Sequence, residues 1–135
     1  MATTVLETPP TVDAGKASAP ALRTFFRIAD TWSLGSKEQM TLLGNPARST
    51  FYHWKQGKNV VLLRDTLERI SYIFGIYSAL QVLLPKPEAA DAWIKKPNSA
   101  PLFGERSALD RMLSGQVGDL YLVRQYLDAQ RGGWS

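Results

Sequence analysis

Between Arg48 and Lys58 the chain reads RSTFYHWKQGK. Ser49, Thr50, His53 and Gln56 fall on one side of a helix drawn through this stretch and are small or hydrogen-bonding, and Arg48 sits at the helix start. Phe51 and Trp54, three apart, fall on the other side and are expected to face a core. The polar set matches what nucleic-acid bases require. Arginine and glutamine pair bidentately with base edges, and hydroxyls bond to several bases. Lys55 and Lys58 are placed to meet phosphate. His53 is the single histidine and there is no cysteine. That excludes a thiolate zinc site, a thiol nucleophile and a pair of imidazoles. His53 is therefore read as a DNA contact rather than a general base. We expect no enzymatic activity, no metal and no cofactor.

The reading helix needs a partner helix to hold it. Upstream, SKEQMTLLGNPA carries Met40, Leu42 and Leu43 on a helix over about residues 37–43, with Gly44-Asn45-Pro46 as a stop and turn. Ser36 and Gln39 have the spacing of a capping box at its start. The second helix spans about 48–56 and ends at Gly57. Two short helices around a glycine-containing turn form a helix-turn-helix pattern. Before it, Leu22, Phe25, Phe26, Ala29 and Trp32 are helically spaced over 21–34. Residues 1–20, rich in Thr, Pro, Ala and Gly, are read as a disordered leader.

After it, residues 62–84 form the longest helical pattern, with two apolar stripes. One is Leu67, Ile70, Phe74, Tyr77 and Leu84; the other is Ile73, Ile76, Leu80 and Leu83. A helix apolar on two faces sits centrally in a bundle or at a dimer interface, and both alternatives stay open here. Gly75 inside it suggests close helix–helix contact. Pro85-Lys86-Pro87 breaks the pattern and is taken as the module boundary. Beyond it, a helix around 88–95 points Ala89, Ala92 and Trp93 inward. A Ser107-capped helix carries Leu109, Met112 and Leu113 and stops at Gly115. A last helix over about 117–129 buries Val117, Leu120, Val123 and Leu127. The fold class is all-α, with three spans: a leader at 1–20, a helix-turn-helix domain at 21–84 and a small helical module at 88–135.

Charge singles out the same region. The chain has a net charge of +4. Residues 21–64 carry seven bases (Arg23, Arg27, Lys37, Arg48, Lys55, Lys58, Arg64) against Asp30 and Glu38, while residues 65–135 balance eight of each sign. A localised basic block is the electrostatic footprint of nucleic-acid binding. No apolar run approaches the roughly 18 residues of a membrane span. The first residues lack a basic start followed by an apolar stretch, so we expect no secretory signal and a cytoplasmic protein.

The helix-turn-helix, with its Trp-Lys-Gln-Gly ending at 54–57, resembles the Xre/Cro type. The region 92–134 resembles the toxin-binding domain of the MbcA/ParS/Xre antitoxin family. The residues that carry this likeness are Trp93, Pro97-Asn98, Phe103-Gly104, Leu109, Met112-Leu113, Gly115, Val117 and the closing VRQYLDAQRGGW of 123–134. Ala108 departs from the pattern, where many members carry proline. The resemblance covers about residues 22–135. It implies a type II antitoxin whose partner is a RES-domain toxin, a fold related to ADP-ribosyltransferases that mostly destroys NAD. Such an antitoxin covers the toxin's active site, in some members with its C-terminal residues, and binds its own operon promoter as an autorepressor. On this chain the toxin-binding residues would be Arg131, Gly132, Gly133, Trp134 and Ser135. The glycines permit close backbone approach, and arginine and tryptophan are enriched at binding hot spots. Homodimerisation would match palindromic half-sites, and a larger toxin–antitoxin hetero-oligomer would follow. The alternative is a stand-alone dimeric DNA-binding transcriptional regulator without a toxin partner.

Overall fold

The computed structural model describes residues 14–57 and 60–132. Its helices are α1 (Ala14–Thr31), α2 (Ser36–Leu42), α3 (Arg48–Gln56), α4 (Arg64–Leu83), α5 (Pro87–Ala92), α6 (Ala108–Met112) and α7 (Val117–Gln130). A 3-10 turn at Trp93–Lys95 follows α5. The described residues contain no strand, only an isolated bridge between Pro97 and Ser107. The all-α expectation holds.

α4 is the spine. α1 packs along one side of it, and α7 along another in the most extensive helix–helix contact of the fold. One continuous set of buried side chains runs from Leu22, Phe25 and Trp32 through Phe51, Ile73, Ile76 and Leu80 to Met112, Val123 and Leu127. The chain does turn at Leu84–Lys86, but the apolar interior crosses that turn. Ile70, Ile73, Ile76 and Leu80 of the two expected stripes are buried where α1 and α7 pack on α4, but Phe74, expected on an inward stripe, is 50% exposed.

α1 begins earlier than the sequence pattern indicates. Residues 14–20 are helical, although they fall within the stretch expected to be a disordered leader. The physical reason lies 44 residues away. Ser18 is fully buried, and its Oγ accepts a hydrogen bond of 2.8 Å from the backbone N–H of Leu62. Without that hydroxyl, the Leu62 N–H in the extended segment 60–63 would be a buried donor lacking this partner, which costs on the order of 1–3 kcal/mol. Pro20 is accommodated inside the helix. Residues 1–13 lie outside the described residues.

Two further expectations need correction. α2 starts at Ser36, but the capping residue is Gly35. Its N–H donates to the Glu38 carboxylate at 2.9 Å, while Gln39 turns inward, is buried, and donates from Nε2 to the Leu34 carbonyl at 2.8 Å. A carboxylate at the third helical position also favours the positive helix end, where an amide would not. In the 88–95 region, Ala90 and Ile94 are the fully buried residues rather than Ala89, Ala92 and Trp93, which are half-buried. The apolar positions here allow two stripes, and the tightened 3-10 turn selects the second. By contrast, Ser107 caps α6 as expected. Its Oγ accepts from the Asp110 N–H at 3.0 Å, and the Asp110 carboxylate returns to the Ser107 N–H at 3.4 Å.

Gly75 has a definite neighbour. It is buried, and a methyl group built on it would overlap the side chain of Arg124 from α7. That side chain is 37% exposed and pairs with Asp128 at 3.3 Å. Its far end can swing outward, forfeiting a surface pair worth about 0.3–0.5 kcal/mol. Alanine in place of a mid-helix glycine returns about 1 kcal/mol. Gly75→Ala is therefore expected to leave unfolding free energy within about 1 kcal/mol of the parent. Gly75→Leu, which must push on α7 itself, is expected to cost about 1–3 kcal/mol. Urea unfolding of both variants checks the contrast; equal losses would mean that the backbone, not Arg124, limits the space.

Candidate nucleic-acid and partner-binding faces

α3 presents its two sides as the residue types require. Phe51 is fully buried. Its ring meets Phe26 of α1 edge-to-face at 5.9 Å between centroids. Trp54 is half-buried against the same core. Arg48, Ser49, Thr50, His53, Lys55 and Gln56 are all exposed. The turn that aims this helix spans residues 43–47. Gly44 has a φ of 95° and Asn45 a φ of 59°, the left-handed region that glycine and asparagine tolerate. The Asn45 N–H closes the turn on the Met40 carbonyl at 2.8 Å. α3 ends where Gly57 takes a φ of 74°.

Arg69 ties this turn to the rest of the molecule. Its side chain, 11% exposed, lies beside Gly44, bonds Asp65 at 3.0 Å and donates to the Gly115 carbonyl at 3.1 Å. It links the α2–α3 turn to the α6–α7 turn. Nothing in the local pattern marks this bridging role, because Gly44 and Gly115 are distant in sequence.

Side-chain placement on α3 adds two details. The Lys55 ammonium lies 5.6 Å from the Phe51 ring centroid and 5.7 Å from that of Phe26, a cation–π arrangement. It starts from the aromatic edge of the helix rather than from the centre of the polar face. Tyr52 is exposed, and Arg48 sits over its ring at 6.0 Å. A hydrogen bond with Ser36 holds the Tyr52 hydroxyl below the usual phenol range, and the Arg48 charge acts in the same direction. The sequence pattern does not assign Tyr52 to this face. Its place between Arg48 and the start of α2 makes it part of the same surface. Lys58 lies outside the described residues.

An aromatic trio packs the C-terminal elements together, and the Arg111–Asp119 ion pair links α6 to α7. Trp93 meets Phe103 edge-on at 5.8 Å and stacks on Tyr126 at 6.4 Å, and Phe103 meets Tyr126 at 5.1 Å. The loop between the 3-10 turn and α6 closes through Asn98. Its N–H donates to the Arg106 carbonyl at 3.0 Å, and its carbonyl accepts from Glu105 at 2.9 Å. Asp110, Asp119 and Asp128 pair with Arg106 at 3.6 Å, Arg111 at 2.9 Å and Arg124 at 3.3 Å, respectively. Arg111 also donates to the Leu102 carbonyl at 3.3 Å. These acids are structural partners of arginines. On α4, Tyr72 donates its hydroxyl to Glu68 at 3.0 Å, which holds the phenol above its usual range. Arg131 and Gly132 follow α7 directly and are exposed. Gly133, Trp134 and Ser135 lie outside the described residues. The described residues hold no group of three or more His, Cys, Asp or Glu side chains able to bind a metal, and no helix long and apolar enough to cross a membrane.

Comparison with known proteins divides the chain in two. Residues 14–75 match the family model of the antitoxin Xre-like helix-turn-helix domain. Residues 79–133 match that of the antitoxin Xre/MbcA/ParS C-terminal toxin-binding domain. The junction falls inside α4, ahead of the Pro85–Pro87 break, and the first match starts with α1 at Ala14. A relative from Sinorhizobium fredii (strain NBRC 101917 / NGR234), bearing the name "Uncharacterized protein y4oB", is 51% identical over 124 residues, covering 92% of this chain and 93% of its own length.

Proposed function

This chain belongs to the Xre/MbcA/ParS antitoxin family, and from that premise we propose that it neutralises a RES-domain toxin and represses its own operon. The observation that carries the reading is the tandem of a helix-turn-helix domain and a toxin-binding domain on one spine helix. The toxin arm would act by covering the NAD-degrading active site. Arg131 to Ser135 would enter the cleft, with Trp134 as its aromatic anchor. The DNA arm would act through Arg48, Ser49, Thr50, His53 and Gln56 at base edges, with Lys55 and Lys58 on phosphates. The protein would work as a cytoplasmic homodimer and join the toxin in a larger hetero-oligomer.

The test follows intracellular NAD while the neighbouring gene's product is expressed alone and then with this chain. NAD should collapse in the first case and be spared in the second. An unchanged NAD pool in both would overturn the NAD-degrading assignment. A chain trimmed of residues 131–135 should keep its fold, because α7 ends at Gln130, but should protect less. Full protection by the trimmed form would remove the tail from the mechanism. If the neighbour proves harmless while promoter DNA is bound, the stand-alone regulator is the surviving reading.

A further inference from the structure

The reading helix α3 has few ties to the rest of the protein. Phe51 latches it to α1, the described helix it contacts most. Between α3 and the start of α4 lies a groove of about 440 Å³, with Thr50 and Trp54 on one side and Val61, Leu63 and Thr66 on the other. α3 therefore has room to tilt about its Phe51 latch, and its angle depends on the α2–α3 turn from which it starts. The backbone of that turn is bonded back to α2. The Gly44 N–H donates to the Thr41 carbonyl at 3.1 Å and the Asn45 N–H to the Met40 carbonyl at 2.8 Å. Gly44 and Asn45 are exposed and at positive φ, so the turn needs a hold from outside.

Arg69 supplies that hold. Its side chain lies against the turn: a Cβ built on Gly44 would sit 3.1 Å from its Nε and 3.4 Å from its Cδ. Nε donates to Asp65 at 3.0 Å, and Nη1 donates to the Gly115 carbonyl at 3.1 Å. The planar guanidinium fixes both bonds at once, which a lysine ammonium, a point charge on a flexible stem, does not. Gly115 also stands beside the turn directly. A Cβ built on it would meet the Asn45 amide at 3.8 Å. Gly115 lies between α6 and α7, inside the stretch that matches the toxin-binding domain. The buttress of the reading helix thus comes from the other module. We propose that Arg69 is a positioning residue for operator recognition: clasped on Gly115, it sets the angle of α3 and makes the toxin-binding module a working part of the DNA-binding apparatus. This role rests on the DNA-binding reading of α3 and adds what aims that helix.

The test uses the full chain and two duplexes, the promoter DNA of its own operon and an unrelated sequence of the same length. Binding to the unrelated duplex depends on phosphate charge and tolerates a tilted helix, whereas base readout does not. Arg69→Met is combined with Asp65→Asn, which opens the clasp and leaves the net charge unchanged. The operator dissociation constant should rise about 10-fold or more, the weight of one charge-assisted hydrogen bond. Affinity for the unrelated duplex and the helical circular dichroism should stay as in the parent. Arg69→Lys, which keeps the charge but not the fork, should fall between the two. Gly115→Ala moves the accepting carbonyl without touching charge, because Gly115 has a φ of 89° that alanine resists. It should lower operator affinity in the same selective way, and it stands in if the paired variant does not fold. A parent chain that binds both duplexes equally would overturn the DNA-binding reading of α3 and this role with it. A selective parent with equally selective variants would overturn the role of Arg69 and leave the DNA-binding reading standing. Variants that lose affinity for both duplexes alike would show a general loss of the fold and would also overturn the positioning role.

Discussion

Replacing Phe51 with alanine is expected to cost about 3–5 kcal/mol of folding free energy, the range for deleting a buried aromatic side chain. The ring is fully buried, and two aromatic neighbours meet it edge-on, Phe26 at 5.9 Å and Tyr52 at 5.3 Å. Edge-to-face pairs add about 0.5–1.5 kcal/mol beyond area burial. Lys55 also rests its ammonium on the ring at 5.6 Å. Of the other α3 side chains Trp54 alone packs against this core, and it is already half-buried there, so α3 offers little to fill the void left by alanine. For a domain whose total stability is about 5–15 kcal/mol, this removes a large fraction. In urea, with a slope of about 1–3 kcal/mol/M, the midpoint should fall by more than 1 M. Circular dichroism against urea reads it directly. A fall of less than about 0.5 M at an unchanged slope would mean that α3 is not latched to α1 through this ring.

Thr50→Glu is expected to abolish promoter binding while leaving toxin neutralisation and stability unchanged. Thr50 is exposed on the first turns of α3, between Ser49 and the buried Phe51. A docked reading helix offers these first residues to base edges. A carboxylate there would enter a groove walled by phosphates, and like-charge juxtaposition in an interface costs several kcal/mol. The operator dissociation constant should rise at least about 100-fold, since every 1.4 kcal/mol is tenfold. The parent chain should lose affinity steeply as salt rises, by about 0.9 log units per phosphate contact per log unit of salt. Protection of cells from the toxin should be the same for parent and variant, because the toxin-binding match begins at residue 79. Equal operator binding by Thr50→Glu would move the DNA contact away from α3. Loss of both functions with an intact fold would mean that the two arms share a surface.

How far the sequence carried depends on whether the information was local. Helical periodicity is local, so the all-α class, the two short helices around Gly44, the polar and buried sides of α3 and the apolar face of α7 were legible in advance. Residue chemistry is local too, and the family's closing string at 123–134 led to the antitoxin resemblance. Tertiary contact decided the rest. α1 runs back to Ala14, where a buried Ser18 receives the Leu62 N–H at 2.8 Å. A Thr-, Pro- and Gly-rich stretch carries no trace of a partner 44 residues away. The two stripes available around 88–95 were equal on periodicity, and only packing selected Ala90 and Ile94. Arg69 bridging two turns and Arg124 covering Gly75 are invisible in any window, because each joins helices far apart in the chain. Periodicity marked α4 as two-faced; only the assembled bundle showed that α1 and α7 take those faces and leave Phe74 and Val82 outside. A side chain's type constrains what it can do, but burial and partners follow from which helices meet, and that is settled by the free energy of the whole core rather than by any one segment.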